Sequence, residues 1–200
     1  MTKLAIFGST GMTGLCTVEA AIKKGFQLKA LVRDPSKFPE NYKKDVEIIK
    51  GNILNYDDVL NTIQDTNGVV ITLGTRNDLS ATTELSEGLK NIVKAMKEAN
   101  VDTISVCLSA FLFKDFPNVP AMFHDLTAEH QRMYDILKGS NLNFIAVFPP
   151  HIANQPASSY QIELDKYIGR AVSKYDLGQF LIDALNQPET YGHTVGIISK

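Results

Sequence analysis

Cysteine is scarce and tryptophan is absent. Cys16 and Cys107 are the only two thiols in 200 residues, too few for a disulfide framework and suited to a reducing, cytoplasmic compartment. No apolar run approaches the roughly 20 residues that cross a bilayer, and "MTKLAIFG" has no secretory leader, so no membrane partner is expected. Positive charge is not in surplus either: 20 Lys and Arg face 22 Asp and Glu, which speaks against a nucleic-acid partner. No grouping of Cys, His and carboxylates has metal-ligand spacing, and no metal is expected. What remains is an ordinary composition, 44% hydrophobic, at a length that fits one domain over residues 1–200.

Short β-rich apolar runs alternate with helical periodicity. Strands are expected at 3–8, 27–33, 46–51, 68–74, 103–110, 143–149 and 194–199, and helices at 12–24, 57–64, 83–99, 121–138 and 175–186. Runs such as "KLAIFG" and "GVVITLG" are apolar throughout, as strands are when both faces of a parallel sheet are covered. The alternation predicts a single α/β domain, a doubly wound parallel Rossmann sheet with helices on both faces.

"GSTGMTG" follows the first strand and opens the first helix, with Gly8, Gly11 and Gly14 in a G-x-x-G-x-x-G pattern. One glycine ends a strand tightly, one admits a pyrophosphate to the backbone, and one packs helix on strand. The helix N-terminus adds free N–H groups and partial positive charge, and Thr10 and Thr13 offer hydroxyls. The second strand ends in "LVRDPSK", where an acidic residue would grip the ribose of NAD. Arg33 stands there, with Ser36 and Lys37 behind it, and a guanidinium suits the 2′-phosphate of NADP. Asn52 after the third strand can accept from the adenine amino group, while Gly74, Thr75 and Arg76 after the fourth would run beside ribose and pyrophosphate.

The fifth strand ends in "CLSAF", which puts Ser109 and Phe111 at the catalytic edge, with Cys107 nearby. Tyr134 and Lys138 have the Tyr-x-x-x-Lys spacing of short-chain dehydrogenases, yet they lie close before the sixth strand, "LNFIAVFPPHI". That places them on a helix's last turns, toward the wrong end of the sheet. The usual lysine position falls near His130 and the usual tyrosine near Leu126, which has no proton to give. His130 could bond the nicotinamide ribose, and His151 could line the nicotinamide or substrate pocket.

"IFGSTGMTG", "LVRD", "LGTRNDLSATTELSEGLKNIVKAMK", "SAF", "PPHI" and "VSKYDLGQF" together resemble the NADPH-dependent flavin reductase (biliverdin-IXβ reductase) family, an atypical short-chain dehydrogenase group. The similarity spans nearly the whole chain and is strongest in "LGTRNDLS". It implies a monomeric NADPH-dependent reductase acting on flavins (FMN, FAD, riboflavin) and linear tetrapyrroles. It implies cofactor contacts from Gly8, Thr10, Gly11, Met12, Thr13, Arg33, Ser36, Asn52, Ile53, Leu73, Gly74, Thr75, Arg76, Cys107, His130 and His151. Ser109 would sit at the reaction centre and Phe111 beside the substrate. Asn52 replaces the family's aspartate, and Lys114 stands where a mammalian member has tryptophan, exchanging an aromatic wall for a cation. Two rivals share the glycine loop: a non-catalytic NADP(H)-sensing protein of the NmrA-like kind, and a sugar-nucleotide epimerase or dehydratase. The latter is disfavoured by the missing dyad and the lack of a sizeable C-terminal substrate domain.

Overall fold

The computed structural model describes residues 2–200. Its main elements are β1 (Lys3–Phe7), α1 (Met12–Lys23), β2 (Gln27–Val32), β3 (Val46–Lys50), α2 (Tyr56–Ile63), β4 (Gly68–Ile71), α3 (Glu84–Glu98) and β5 (Thr103–Cys107). There follow α4 (His124–Lys138), β6 (Asn143–Phe148), β7 (His151–Ala153), β8 (Tyr160–Leu164), β9 (Ala171–Ser173), α5 (Lys174–Asp183) and β10 (Thr194–Ser199). The eight-stranded sheet runs β3-β2-β1-β4-β5-β6-β10-β8, and β7 and β9 pair apart from it. The first six strands therefore have the dinucleotide-binding order, with the direction of winding reversing between β1 and β4.

Alternation along each strand explains the continuous apolar runs. Leu4 and Ile6 of β1 pack with α1 and α5 on one face, together with Leu28, Ala30, Val70, Ile145, Val147 and Val195. Ala5 and Phe7 turn to the other face, where Val69, Ile71, Ile104 and Val106 meet the apolar sides of α2, α3 and α4. One buried cation sits within this scheme: Lys29 of β2 donates to the carbonyls of Asn61 (2.5 Å) and Gln64 (3.2 Å), closing the C-terminal end of α2.

One feature of the fold corrects the sequence reading. The sheet is mostly rather than wholly parallel, because β8 pairs antiparallel with β10 at its edge. "YQIEL" is half-polar, as a one-sided edge strand should be, with Tyr160 and Ile162 turned to the core. Its alternation is too short and too polar to stand out beside the long apolar strands. β7 and β9, of three residues each, carry no periodicity at all. The helix expected from 121 opens instead with a 3-10 turn, and α4 begins at His124.

α1 and α5 meet where Gly178 leaves no room: a Cβ there would lie 2.8 Å from the Cys16 carbonyl carbon and the Thr17 nitrogen. Those are backbone atoms, so the helices must part to admit a methyl group. Gly178→Ala should destabilise the domain by about 1–3 kcal/mol, read as a lower urea midpoint at unchanged m-value.

Candidate functional site

Parallel pairing sets the C-terminal ends of β1 to β6 along one edge, so their following residues share a crevice centred on the β1–β4 reversal. Gly8 ends β1 at φ +88°, and a Cβ on it would lie 2.5 Å from the Thr72 carbonyl oxygen. On Gly14 a Cβ would fall 2.1 Å from the Gly8 carbonyl oxygen, so α1 seats directly on the loop. Gly11 is the N-cap of α1, with no side-chain cap and no acidic residue in the first turn. The first N–H groups of the helix thus have neither a side-chain acceptor nor a repelling charge, which fits a diphosphate. Thr10 is partly exposed and Met12 exposed, whereas Thr13 is buried in the helix. Thr10 is accordingly the threonine better placed to offer a hydroxyl to a ligand.

At the end of β2, Arg33 Nη1 lies 3.2 Å from Glu84 Oε1, the first residue of α3. Asp34 does not face the crevice as a free acid. It caps the short turn Pro35–Lys37, accepting from the Ser36 amide (3.1 Å) and hydroxyl (2.6 Å), with Lys37 at 3.8 Å. The Ser36 hydroxyl first, and its amide next, hold the Asp34 carboxyl below the usual carboxylate range. Asn52 uses its amide oxygen within its own turn, accepting from Leu54 N–H (3.0 Å), and its N–H is bound by Asp58 (2.9 Å). Ile53 is buried against Gly88 of α3, where a Cβ would come within 2.5 Å of its Cδ1. After β4, Leu73 and Thr75 are partly buried and Gly74 is exposed. Arg76 and Asn77 both take left-handed backbone, at φ 55° and 69°, which turns the chain sharply before α3.

Ser109 follows β5 and caps the turn Ala110–Phe113, its Oγ accepting from Phe111 N–H at 3.2 Å. The Phe111 ring is stacked at a tilt on Phe123, centroids 5.0 Å apart, and Lys114 Nζ stands 5.6 Å from the Phe111 centroid. His151, exposed, opens β7 and donates its backbone N–H to the Arg170 carbonyl at 3.2 Å. Cys107 is buried on the α1/α5 face of the sheet, where burial pushes its thiol up to about 12 and leaves it inert. His130 of α4 is only 9% exposed, and its Nδ1 has no hydrogen-bond partner. Burial drives its pKa from the usual 6.5 to about 4, outweighing the opposite pull of Glu129. A neutral imidazole can exchange a hydrogen bond with a ribose, but it cannot supply the positive charge of a lysine.

Tyr134 packs edge-on against Phe144 (6.5 Å) and Phe148 (5.3 Å) of β6. Lys138 lies at the last residue of α4, bound to Asp135 at 2.9 Å, with Nζ 4.7 Å from the Tyr134 ring centroid. Burial raises the Tyr134 phenol more than Lys138 lowers it, the reverse of a catalytic dyad. Sequence spacing missed two carboxylates. Glu84 was hidden because its partner is 51 residues away. Glu129, 0% exposed, accepts from the Ser86 amide (2.6 Å) and hydroxyl (3.0 Å), and pairs with Arg132 at 2.7 Å. Arg132 in turn donates to the Thr82 carbonyl (2.7 Å), so α4 caps the start of α3. The i,i+3 spacing of Glu129 and Arg132 was visible, but nothing local marked Glu129 as buried.

Folding prefers the neutral ring of His130. Stability is full above pH 6.5 and falls as pH drops toward about 4, because in that window only the unfolded chain takes up the proton. Between those limits the unmutated protein should lose about 3 kcal/mol more than a His130→Gln variant, measured by urea unfolding at each pH. Tyr134→Phe keeps the ring packing and removes only the phenol. It should leave NAD(P)H oxidation within about twofold of the unmutated rate, far short of the roughly hundredfold or more lost with a general acid.

Comparison with known proteins agrees with this geometry. A family model described as NAD(P)H-binding matches residues 8–188. An oxidoreductase from Pestalotiopsis microspora is 24% identical, aligning 94% of this chain with 81% of its own. A candidate NADH-flavin reductase from Streptococcus pneumoniae superposes with a TM-score of 0.80 at 20% identity, over 100% of both chains. A candidate NAD-dependent epimerase/dehydratase from Bacillus halodurans gives 0.87 at 16% identity, covering 100% of this chain and 95% of that one. Likeness at these identities establishes the shared Rossmann fold and leaves the reaction to the site. With the bare α1 N-terminus and the crevice at the strand reversal, the matched family model leads to one conclusion: the chain belongs to the NAD(P)H-binding family.

Proposed function

We propose that this protein is an NADPH-dependent reductase whose acceptors are planar and conjugated: flavins, and linear tetrapyrroles such as biliverdin-IXβ. The observation that carries the reading is the make-up of the mouth beyond β5. An aromatic pair, Phe111 and Phe123, stands next to Ser109, and Leu126 falls where a short-chain dehydrogenase would carry its general-acid tyrosine. A simple ketone needs such an acid. A conjugated acceptor spreads the incoming charge and does not.

Bound at the glycine loop, NAD(P)H would supply a hydride at the nicotinamide end of the crevice. The chain's own part is to hold and orient. Gly11 leaves the backbone open to the diphosphate while Gly8 and Gly14 seat α1 on the loop, Arg33 and Ser36 lie at the adenosine end, and Phe111 offers a face for a flat acceptor. Ser109 keeps its hydroxyl hydrogen free while its oxygen accepts from Phe111, so it can order the water that delivers the proton. Lys114 adds a cation suited to propionates or a flavin phosphate. The reading includes a cytosolic, monomeric enzyme, and the two unpaired cysteines suit a reducing compartment.

NADPH absorbance followed with FMN, then with a biliverdin, and again with NADH, tests the proposal. Loss of NADPH absorbance with either acceptor is expected. Binding of NADPH without turnover by any acceptor would favour the non-catalytic sensor instead. Ser109→Ala should slow turnover by less than about tenfold, the low end for one positioned donor. Complete loss of activity with NADPH binding intact would contradict the role given to Ser109.

A further inference from the structure

The adenosine end of the crevice has an unusual charge balance. The groups after β2 suited to a 2′-phosphate are each held by a carboxylate: Arg33 by Glu84 (3.2 Å), the Ser36 hydroxyl by Asp34 (2.6 Å), and Lys37 by Asp34 (3.8 Å). Within this group two cations face two carboxylates. In dinucleotide-binding folds an acid at the end of β2 receives the ribose hydroxyls of NAD, while a cation there receives the phosphate of NADP. This chain has the cation just after β2 and returns an acid from elsewhere, as the first residue of α3.

We propose that Glu84 is a specificity-determining residue that restrains the preference for NADPH and lets NADH compete. The proposal rests on the NAD(P)H-binding reading and goes beyond it. A 2′-phosphate reaching Arg33 must displace Glu84 or share the guanidinium with a like charge. A 2′-hydroxyl meets no such repulsion, and the carboxylate can accept its hydrogen bond. Arg33 and Glu84 are 59% and 42% exposed, so solvent screens the pair and the effect is a small factor, not an absolute switch.

Dissociation constants of NADPH and NADH would be measured by nucleotide fluorescence, with no acceptor present. Glu84→Gln should tighten NADPH by about fivefold while NADH changes less than about twofold or weakens, a factor typical of one screened charge. Arg33→Ala should erase that gain when combined with Glu84→Gln. Glu87→Gln is the control: it removes the same charge from the same first turn of α3, but from a side chain bound to Lys90, and should leave the NADPH:NADH ratio unchanged. Weaker NADPH binding in Glu84→Gln, an unchanged ratio, or an equal shift in Glu87→Gln would overturn the proposal. Failure of the unmutated protein to bind either nucleotide would overturn the underlying cofactor reading as well, and is distinguishable from those results.

Discussion

The seating of α1 on the first loop is the constraint from which the rest of the site follows. With 2.1 Å between a hypothetical Gly14 Cβ and the Gly8 carbonyl oxygen, only hydrogen fits there. Gly8 must also bend at φ +88° against the backbone of Thr72. Those two approaches fix where the helix axis starts relative to β1 and β4, and hence where its N–H groups point. Move the helix outward by one methyl group and its partial positive charge no longer lies over the crevice. The reversal of strand order then opens space next to that charge without any loop having to fold around a ligand.

Carboxylates do much of the remaining organising, some across elements and some within a single turn. Glu129 is wholly buried, yet its oxygens are met by Ser86 and Arg132, so its charge is compensated and α3 gains a cap that its own Thr83 does not provide. Asp58 binds the Asn52 amide, and Asp34 gathers the turn after β2. These contacts tie together the loops that follow β2 and β3. By contrast, the mouth beyond β5 is built from aromatic rings and a partly exposed serine. Paired charges thus mark the end after β2, and aromatic rings mark the end after β5.

The expected helices and long strands correspond to observed elements, with ends shifted by a few residues, because their signals are local. Apolar residues on both faces announce a covered parallel strand, and helical periodicity announces the helices between. The edge strand β8 escaped because its one-sided pattern looks like a loop until β10 lies beside it. The Tyr134–Lys138 spacing is equally local, and so it was an ambiguous signal. Chain distance to β6 argued against a catalytic role, and in the fold the Tyr134 ring packs on Phe144 and Phe148.

By itself, then, the sequence determined the glycine loop, the doubly wound alternation and the cation that follows β2. Each of these depends on neighbours along the chain, whose geometry a helix or strand dictates. Tertiary structure alone decided that Glu84 meets Arg33 and that Glu129 is buried under α3. It also decided that burial lowers the His130 pKa and that the Asn52 oxygen accepts from Leu54 N–H. Most of these partners, and the burial that shifts His130, come together only after the sheet has chosen its strand order. Burial and long-range pairing are properties of that order and of no single segment.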